Sequence, residues 1–200
     1  DAPVGATYDS NNGHYHTEET KASYRTATVV GRRVYIGAVA MQNGDSPTGS
    51  RMVSDMLLKT PANQFDKFPE MNRVIASTND GDEIVKLVNF GGKLLQFKKQ
   101  NMYVINIDGD LEKIETKYAF MGISKPYHMV ETALGIFWIN NSGLHWYSGE
   151  KISNLIDNKL ALRTWDFTDN FSIGFDDKNK KLLITKNLLA DKHNSKDMWV

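Results

Sequence analysis

Between residues 80 and 187 the chain reverses direction on a regular beat. "DGDEIVKLVNF" (80–90) stops at Gly91-Gly92, "KLLQFKK" (93–99) follows, "NMYVINI" (101–107) comes next, and after Gly109 "LEKIETK" (111–117) runs out. Each piece alternates bulky and polar residues, the period of a β-strand with one face in a core. Links this short leave only antiparallel neighbours. The scheme recurs in "YHMVET" (127–132), "GIFWIN" (135–140), "GLHWYS" (143–148) and "EKISNLI" (150–156), then again in "NFSIGFD" (170–176) and "KLLITKN" (181–187). With second strands aligned on Leu94, Ile136 and Leu182, the repeat is about 40–50 residues of four short strands, the mark of β-propeller blades. A four-stranded blade cannot bury both faces alone, so the aromatics of "GIFWINNSGLHWYSG" are expected mainly between neighbouring blades.

The first third is less regular. "TATVV" (26–30), a turn at Gly31-Arg32 and "RVYIGAVA" (33–40) read as a hairpin; "MQNGDSPTGS" (41–50) is turn chemistry, and "RMVSDMLLKT" (51–60) is extended. Pro61 and Pro69 bracket a loop that cannot be a central strand, and "EMNRVIAST" (70–78) fits a short helix or a strand. Residues 1–23 are polar and without period, an arm or loop. The expectation is therefore an all-β chain: the arm 1–23, then a partial β-propeller over 24–200 with blades near 24–78, 80–117, 127–156 and 170–200. The connectors 120–126 and 157–169 are short enough to keep successive blades adjacent in one continuous ring, and the second has room for a helical turn over Lys159–Arg163. The last copy shows two clear strands, with a third expected to begin at Met198. A start at Asp1 rather than Met is expected of a processed, truncated or excerpted chain, and too few blades to close a ring lead to the expectation of a piece of a longer protein.

Period two also assigns faces. Leu95, Phe97, Tyr103, Ile105, Phe137, Ile139, Leu144, Trp146, Ile173 and Leu183 are expected to make most of the core between blades. Leu94, Met102, Val104, Trp138 and Leu182 form the complementary set, buried as well if blades are apolar on both sides.

Chemistry-bearing patterns are weak. Lys+Arg and Asp+Glu balance at 24 each and there is no cysteine, so thiolate sites are excluded and no phosphate-gripping surface is advertised. No apolar run approaches the ~20 residues of a membrane span, and no secretory signal opens the chain. The nucleophile elbow, P-loop, zinc-protease and dinucleotide patterns are absent. "NNSGLHW" (140–146) resembles the Asp-box turn of sialidase-like propellers, with Asn141 at the Asp position and His145 at the Thr position; it reads as a plain blade turn. His14 and His16 ("HYH") would share one face of a strand, a spacing suited to a divalent metal, but no third ligand is evident nearby and they read as solvated loop histidines. "NDGDE" (79–83) and "DGD" (108–110) lack the spacing of a calcium cage and read as turns. Lys98-Lys99 and "KNKK" (178–181) read as solvated blade edges. No catalytic residue, metal or cofactor is assigned.

Four phrases together resemble the propeller region of bacteriophage tail tubular, or nozzle, proteins of short-tailed phages. They are "GRRVYIGAV" (31–39), "RMVSDMLLKTPANQFDKFP" (51–69), "DGDEIVKLVNFGGKLLQFKKQNMYVI" (80–105) and "GIFWINNSGLHWYSGEKISNL" (135–155). The motif positions are Phe65 to Pro69, Asp80–Leu87, Leu94–Lys98 and Tyr103–Ile105, then Gly135, Trp138, Asn140, Gly143, Leu144, Tyr147 and Gly149. Among the core and turn residues singled out are Phe65, Pro69, Leu95, Phe97, Tyr103, Gly135, Trp138, Gly143, Trp146 and Gly149. The resemblance implies a non-enzymatic virion protein, assembled in the host cytoplasm as a ring of copies at the tail end. Its partners would be the rest of its own chain, other copies, and tail and portal-complex proteins, with DNA only as transiting cargo. The alternatives are a propeller that binds a glycan or protein and, further off, a propeller glycoside hydrolase.

Overall fold

A computed structural model of the chain describes residues 7–9, 14–16, 24–42, 50–74, 80–109, 111–157, 165, 167–168, 170–186 and 197–199. Every extended element is a β-strand paired antiparallel, and no helix among the described residues is long and apolar enough to cross a membrane. The chain divides into two compact units, 1–118 and 119–200.

In the first unit, β1 (Thr7–Asp9) and β2 (His14–His16) pair as a two-stranded sheet inside the segment expected to be an arm. β3 (Tyr24–Val30), β4 (Arg33–Gln42), β5 (Ser50–Lys59) and the two-residue β6 (Arg73–Val74) follow in order as a four-stranded meander. The ambiguous stretch at 70 resolves into a 3-10 turn, Glu70–Asn72, leading into β6. β7 (Ile84–Phe90), β8 (Lys93–Lys98), β9 (Met102–Asn106) and β10 (Lys113–Tyr118) make the next meander. A core of Val30, Tyr35, Leu57, Ile84, Leu87, Leu94, Tyr103 and Ile105 joins the two sheets. Thr26 Oγ1 accepts from Leu87 N at 2.9 Å and Asn89 Nδ2 donates to Val29 O at 2.9 Å, tying β3 to β7.

One bulge decides which face much of β4 presents. The register slips between Gly37 and Val39, with Ala38 at φ 54 and fully buried. There Ala38 alone stands against three residues of β5, 54–56, and with Ala38 at positive φ the alternation restarts in the opposite phase. Tyr35 and Ala38 therefore join one apolar cluster, while Ile36 and Val39 join another with Met56 and Leu58. A single sheet is thus apolar on both faces.

The second unit repeats the plan. A 3-10 turn, Pro126–His128, leads into β11 (Met129–Thr132), followed by β12 (Gly135–Asn140), β13 (Gly143–Tyr147) and β14 (Ile152–Asn154), again paired in chain order. β15 (Phe171–Asp176), β16 (Lys181–Lys186) and β17 (Asp197–Trp199) form a three-stranded sheet, so a strand does lie at Met198 and pairs with β16. Phe137, Ile139 and Leu144 pack with Trp165, Phe171, Ile173 and Ile184, and the Phe137 ring stacks on Trp146 and Phe175 with centroids 6.1 and 6.2 Å away. The helical turn expected over Lys159–Arg163 lies outside the described residues.

Register corrects the assigned faces. Leu95 pairs with Val104 and Phe97 with Met102, whereas Leu94 pairs with Ile105 and Gln96 with Tyr103. Leu95 and Phe97 therefore sit on the face opposite Tyr103 and Ile105. Likewise Ile173 pairs with Ile184 while Leu183 faces Gly174, so Leu182, not Leu183, packs with the Ile173 core. Directly opposed residues share a face, and turn length sets which residues oppose. Both faces of β8 and β9 are buried all the same: Leu94, Leu95, Phe97, Met102 and Ile105 are all sealed from solvent.

Candidate functional site

Polar side chains buried in a core show what a fold invests chemistry in, because each must find a partner there. In the first unit the largest such group is Lys98, Tyr103 and Asp82, gathered around Asp80 at its solvent-facing edge. Asp80 Oδ1 accepts from Lys98 Nζ at 2.6 Å and from Asp82 N at 3.1 Å, and its Oδ2 accepts from Tyr103 Oη at 2.7 Å. The Lys98 ammonium also lies 5.3 Å from the centroid of the Tyr103 ring, a cation–π distance. Asp82, buried beside it, accepts from the backbone N–H groups of Gln100 (3.1 Å) and Asn101 (3.0 Å) and from Asn101 Nδ2 (2.9 Å). Two consecutive turn carboxylates thus fasten the β8–β9 turn to the strand that enters β7.

Lys98 is a correction. Expected at a solvated edge with Lys99, it is completely buried, while Lys99 is exposed and pairs with Glu83. It falls in step with Leu94 and Gln96 on the inner face of β8, so alternation sends it inward. Burial alone would push the Asp80 carboxyl up, but the hydrogen bonds from Lys98 and Tyr103 outweigh it and hold the group below the ordinary carboxylate range. Burial, then the Asp80 carboxylate, raise the Tyr103 phenol. Both Asp80 and Asp82 face N–H, O–H and ammonium donors, an arrangement that closes a turn and does not assemble a cation cage.

A second group of the same type lies in the same unit. Tyr35 Oη donates to Glu112 Oε1 at 2.9 Å, and Lys59 Nζ donates to Glu112 Oε1 and Oε2 at 2.6 and 2.7 Å. Burial, then Glu112, raise the Tyr35 phenol. Tyr35 and Tyr103 both belong to the core between the two sheets, so that core carries two tyrosine–carboxylate–lysine sets.

In the second unit the hub is Asn140. Its Nδ2 donates to Phe120 O (3.1 Å) and Gly122 O (3.0 Å), which fixes the amide orientation. Its Oδ1 then accepts from Ser142 N (2.9 Å), Ser142 Oγ (2.7 Å) and His145 Nε2 (3.0 Å), and its main-chain O accepts from Trp165 Nε1 at 2.7 Å. Because Oδ1 can only accept, His145 carries its proton on Nε2. His145 Nδ1 is then a buried lone pair with no donor among the described residues. Desolvation pushes the His145 pKa down to about 4, which keeps the ring neutral. One asparagine so pins both connectors, at 120–122 and at 165, to the β12–β13 hairpin.

The residues singled out from sequence fall into place around these hubs. Leu95, Phe97, Tyr103 and Trp138 are buried, and Trp146 is half-buried with Nε1 on Leu134 O at 2.9 Å. Gly135, at φ 131, lies so close to Tyr147 O and the Trp146 indole that a Cβ would overlap both. Gly143 (φ 138) makes the β12–β13 turn, and Gly149 (φ 110) offers its carbonyl to Tyr147 Oη at 2.8 Å. Pro69 is buried and accepts from Asn72 N at 2.9 Å, but Phe65 is 52% exposed in its loop. Among the motif residues, Phe68 is the aromatic that packs on the Ile36–Leu58 cluster. Lys59, Glu112 and the inward Lys98 were missed; a lysine in strict alternation with Leu94 and Gln96 was the available signal. The chain matches no protein-family model, and no curated protein matches it.

Proposed function

We propose that this chain is a non-enzymatic structural part of a phage virion, a partial β-propeller contributing to the tail-end ring through which DNA is delivered. The observation that carries the reading is the convergence of the phrases that carry the resemblance. Asp80 and Asp82 of "DGD-x-I", Lys98 of "LL-x-F-K" and Tyr103 of "Y-x-I" meet in one hydrogen-bonded cluster. Asn140, Gly143, Tyr147 and Gly149 of the later phrase build a second hairpin and its hub. In both, the motif residues close turns and hold successive meanders, which is the work of building material. Sheets apolar on both faces suit stacking of blades, where each meander buries what its neighbour leaves open. The partners of such a protein are the rest of its own chain, further copies in a ring, and neighbouring tail and portal-complex proteins.

Negative-stain microscopy with light scattering on the full-length protein that carries this sequence tests the reading. Rings of copies around an axial channel are expected. A monodisperse monomer overturns it, as does turnover of a glycoside that one carboxylate substitution abolishes.

A further inference from the structure

The sequence carries the tripeptide Asp-Gly-Asp twice, at 80–82 and at 108–110. An aspartate followed by glycine is especially prone to a spontaneous rearrangement. The glycine amide nitrogen attacks the aspartate Cγ, and glycine has no Cβ to hinder the approach. Both aspartates reach solvent, so exposure does not separate them; bonding does. Asp80 Oδ1 accepts from Lys98 Nζ and Asp82 N, and its Oδ2 accepts from Tyr103 Oη. Turning its Cγ onto Gly81 N breaks these bonds, one of them charge-assisted on both sides. Asp108 lies with Gly109 in the exposed bend between β9 and β10. Its main-chain N donates to Asn106 Oδ1 at 2.8 Å, and its carboxylate has no partner among the described residues. We propose that Asp108-Gly109 is a site of spontaneous succinimide formation and conversion to isoaspartate, and that the Asp80 hub protects the same tripeptide at 80–82.

The reaction needs no co-reactant but water. A bond forms between Gly109 N and Asp108 Cγ, one carboxyl oxygen leaves as water with the amide proton and a second proton from the carboxyl group or solvent, and nothing is oxidised or reduced. Water then opens the ring. Cleavage of the new bond restores aspartate, whereas cleavage between Gly109 N and the Asp108 α-carbonyl leaves isoaspartate, with the main chain running through Cβ and Cγ. The added main-chain atom falls in the segment that delivers Glu112 to Tyr35 and Lys59. The inference is independent of the scaffold role proposed above.

The test holds the whole 200-residue chain in heavy-oxygen water at neutral pH and physiological temperature. Its peptides are then mapped by mass, and by chromatography against synthetic isoaspartyl standards. Ring opening leaves a heavy oxygen at each residue that has reacted. Label and isoaspartate are expected at Asp108, several-fold above Asp80. In guanidinium chloride the two tripeptides should label alike, because their residues are the same and only the fold distinguishes them. At Gly109 a Cβ meets nothing nearer than Leu111 O at 3.7 Å, so Gly109→Ala should fold as wild type and lose most of the label at Asp108. An unlabelled Asp108 in the native chain overturns the site. So does equal labelling of Asp80, a native pattern that persists in denaturant, or undiminished label in Gly109→Ala.

Discussion

The Asp80 hub of the first unit and the Asn140 hub of the second do the same mechanical job. Each sits beside a hairpin and gathers loop backbone onto it. Their chemistry differs: Asp80 is a carboxylate held by the Lys98 ammonium and the Tyr103 phenol, whereas Asn140, Ser142, His145 and Trp165 make a wholly neutral network. The ionic hub contains a charge that must be answered by another charge. The neutral hub contains a base that must be kept from acquiring one. Similar anchoring is therefore expected to fail under different insults.

Removing the Asp80 carboxylate should produce the largest effect. Asp80→Ala takes a carboxylate partner from the fully buried Lys98 ammonium; the pair opens to solvent on the Asp80 side, so the cost is expected near about 3 kcal/mol, the low end of the range for breaking a buried pair. Urea unfolding followed by fluorescence measures it. Adding Lys98→Met should recover much of the loss, since an apolar pair of similar volume replaces the ion pair without leaving charge behind. A double variant no more stable than Asp80→Ala would break the ionic half of the comparison.

Acid should separate the hubs by pH window. The His145 pKa falls from 6.5 unfolded to about 4 folded, so below pH 6.5 the unfolded chain takes up a proton that the folded chain refuses. Stability is full above that value, declines as pH drops towards about 4, and levels off below; the total is about 3 kcal/mol. The Asp80 pKa lies below its ordinary 3.8, so its contribution persists above that value and is lost only as pH falls further. His145→Gln keeps an N–H donor for Asn140 Oδ1 but cannot titrate. Its urea midpoint should be flatter than wild type between pH 6.5 and 4 and parallel to it below; parallel curves throughout would remove His145 as the cause.

Asn140→Ala should cost about 1–3 kcal/mol, the usual range for buried groups deprived of a partner. It frees the Phe120 and Gly122 carbonyls together with the Ser142 amide. Hydrogen exchange should report the loss at 119–125, leaving β7 to β9 protected. Faster exchange spread evenly over both units would show that the hub does not act locally.

The two hubs were unequally legible in the sequence. Strand positions from 80 to 186 followed from alternation and glycine turns, because both signals are local. Faces did not follow. The pairings of Leu95 with Val104 and of Ile173 with Ile184 depend on turn length, and the phase of β4 depends on a bulge at an alanine with positive φ. Nothing in "RVYIGAVA" marks Ala38 as the residue where the alternation breaks. "NDGDE" reads as a turn from its own residues, and it is one; its partners Lys98, Gln100, Asn101 and Tyr103 arrive from the next hairpin, so the ionic character of the hub was hidden.

The smallest effect belongs to the hairpin that has neither hub. β15 and β16 are joined by an exposed turn in which Asp176 accepts from Lys178 N and Asn179 N at 3.0 and 3.1 Å. Within β15, Gly174 opposes Leu183, and no heavy atom among the described residues lies within 4 Å of where its Cβ would stand. Its φ falls outside the left-handed region, so alanine fits the same backbone without strain, in contrast to Gly135, where a Cβ would overlap the Trp146 indole. Gly174→Ala should then stabilise the chain by about 0.5 kcal/mol, chiefly by restricting the unfolded backbone. A small rise in the urea midpoint is the expected reading. A clear fall would mean that another surface occupies the space beside Gly174 in the folded protein, and would make this hairpin a packed interior element like the two that carry hubs.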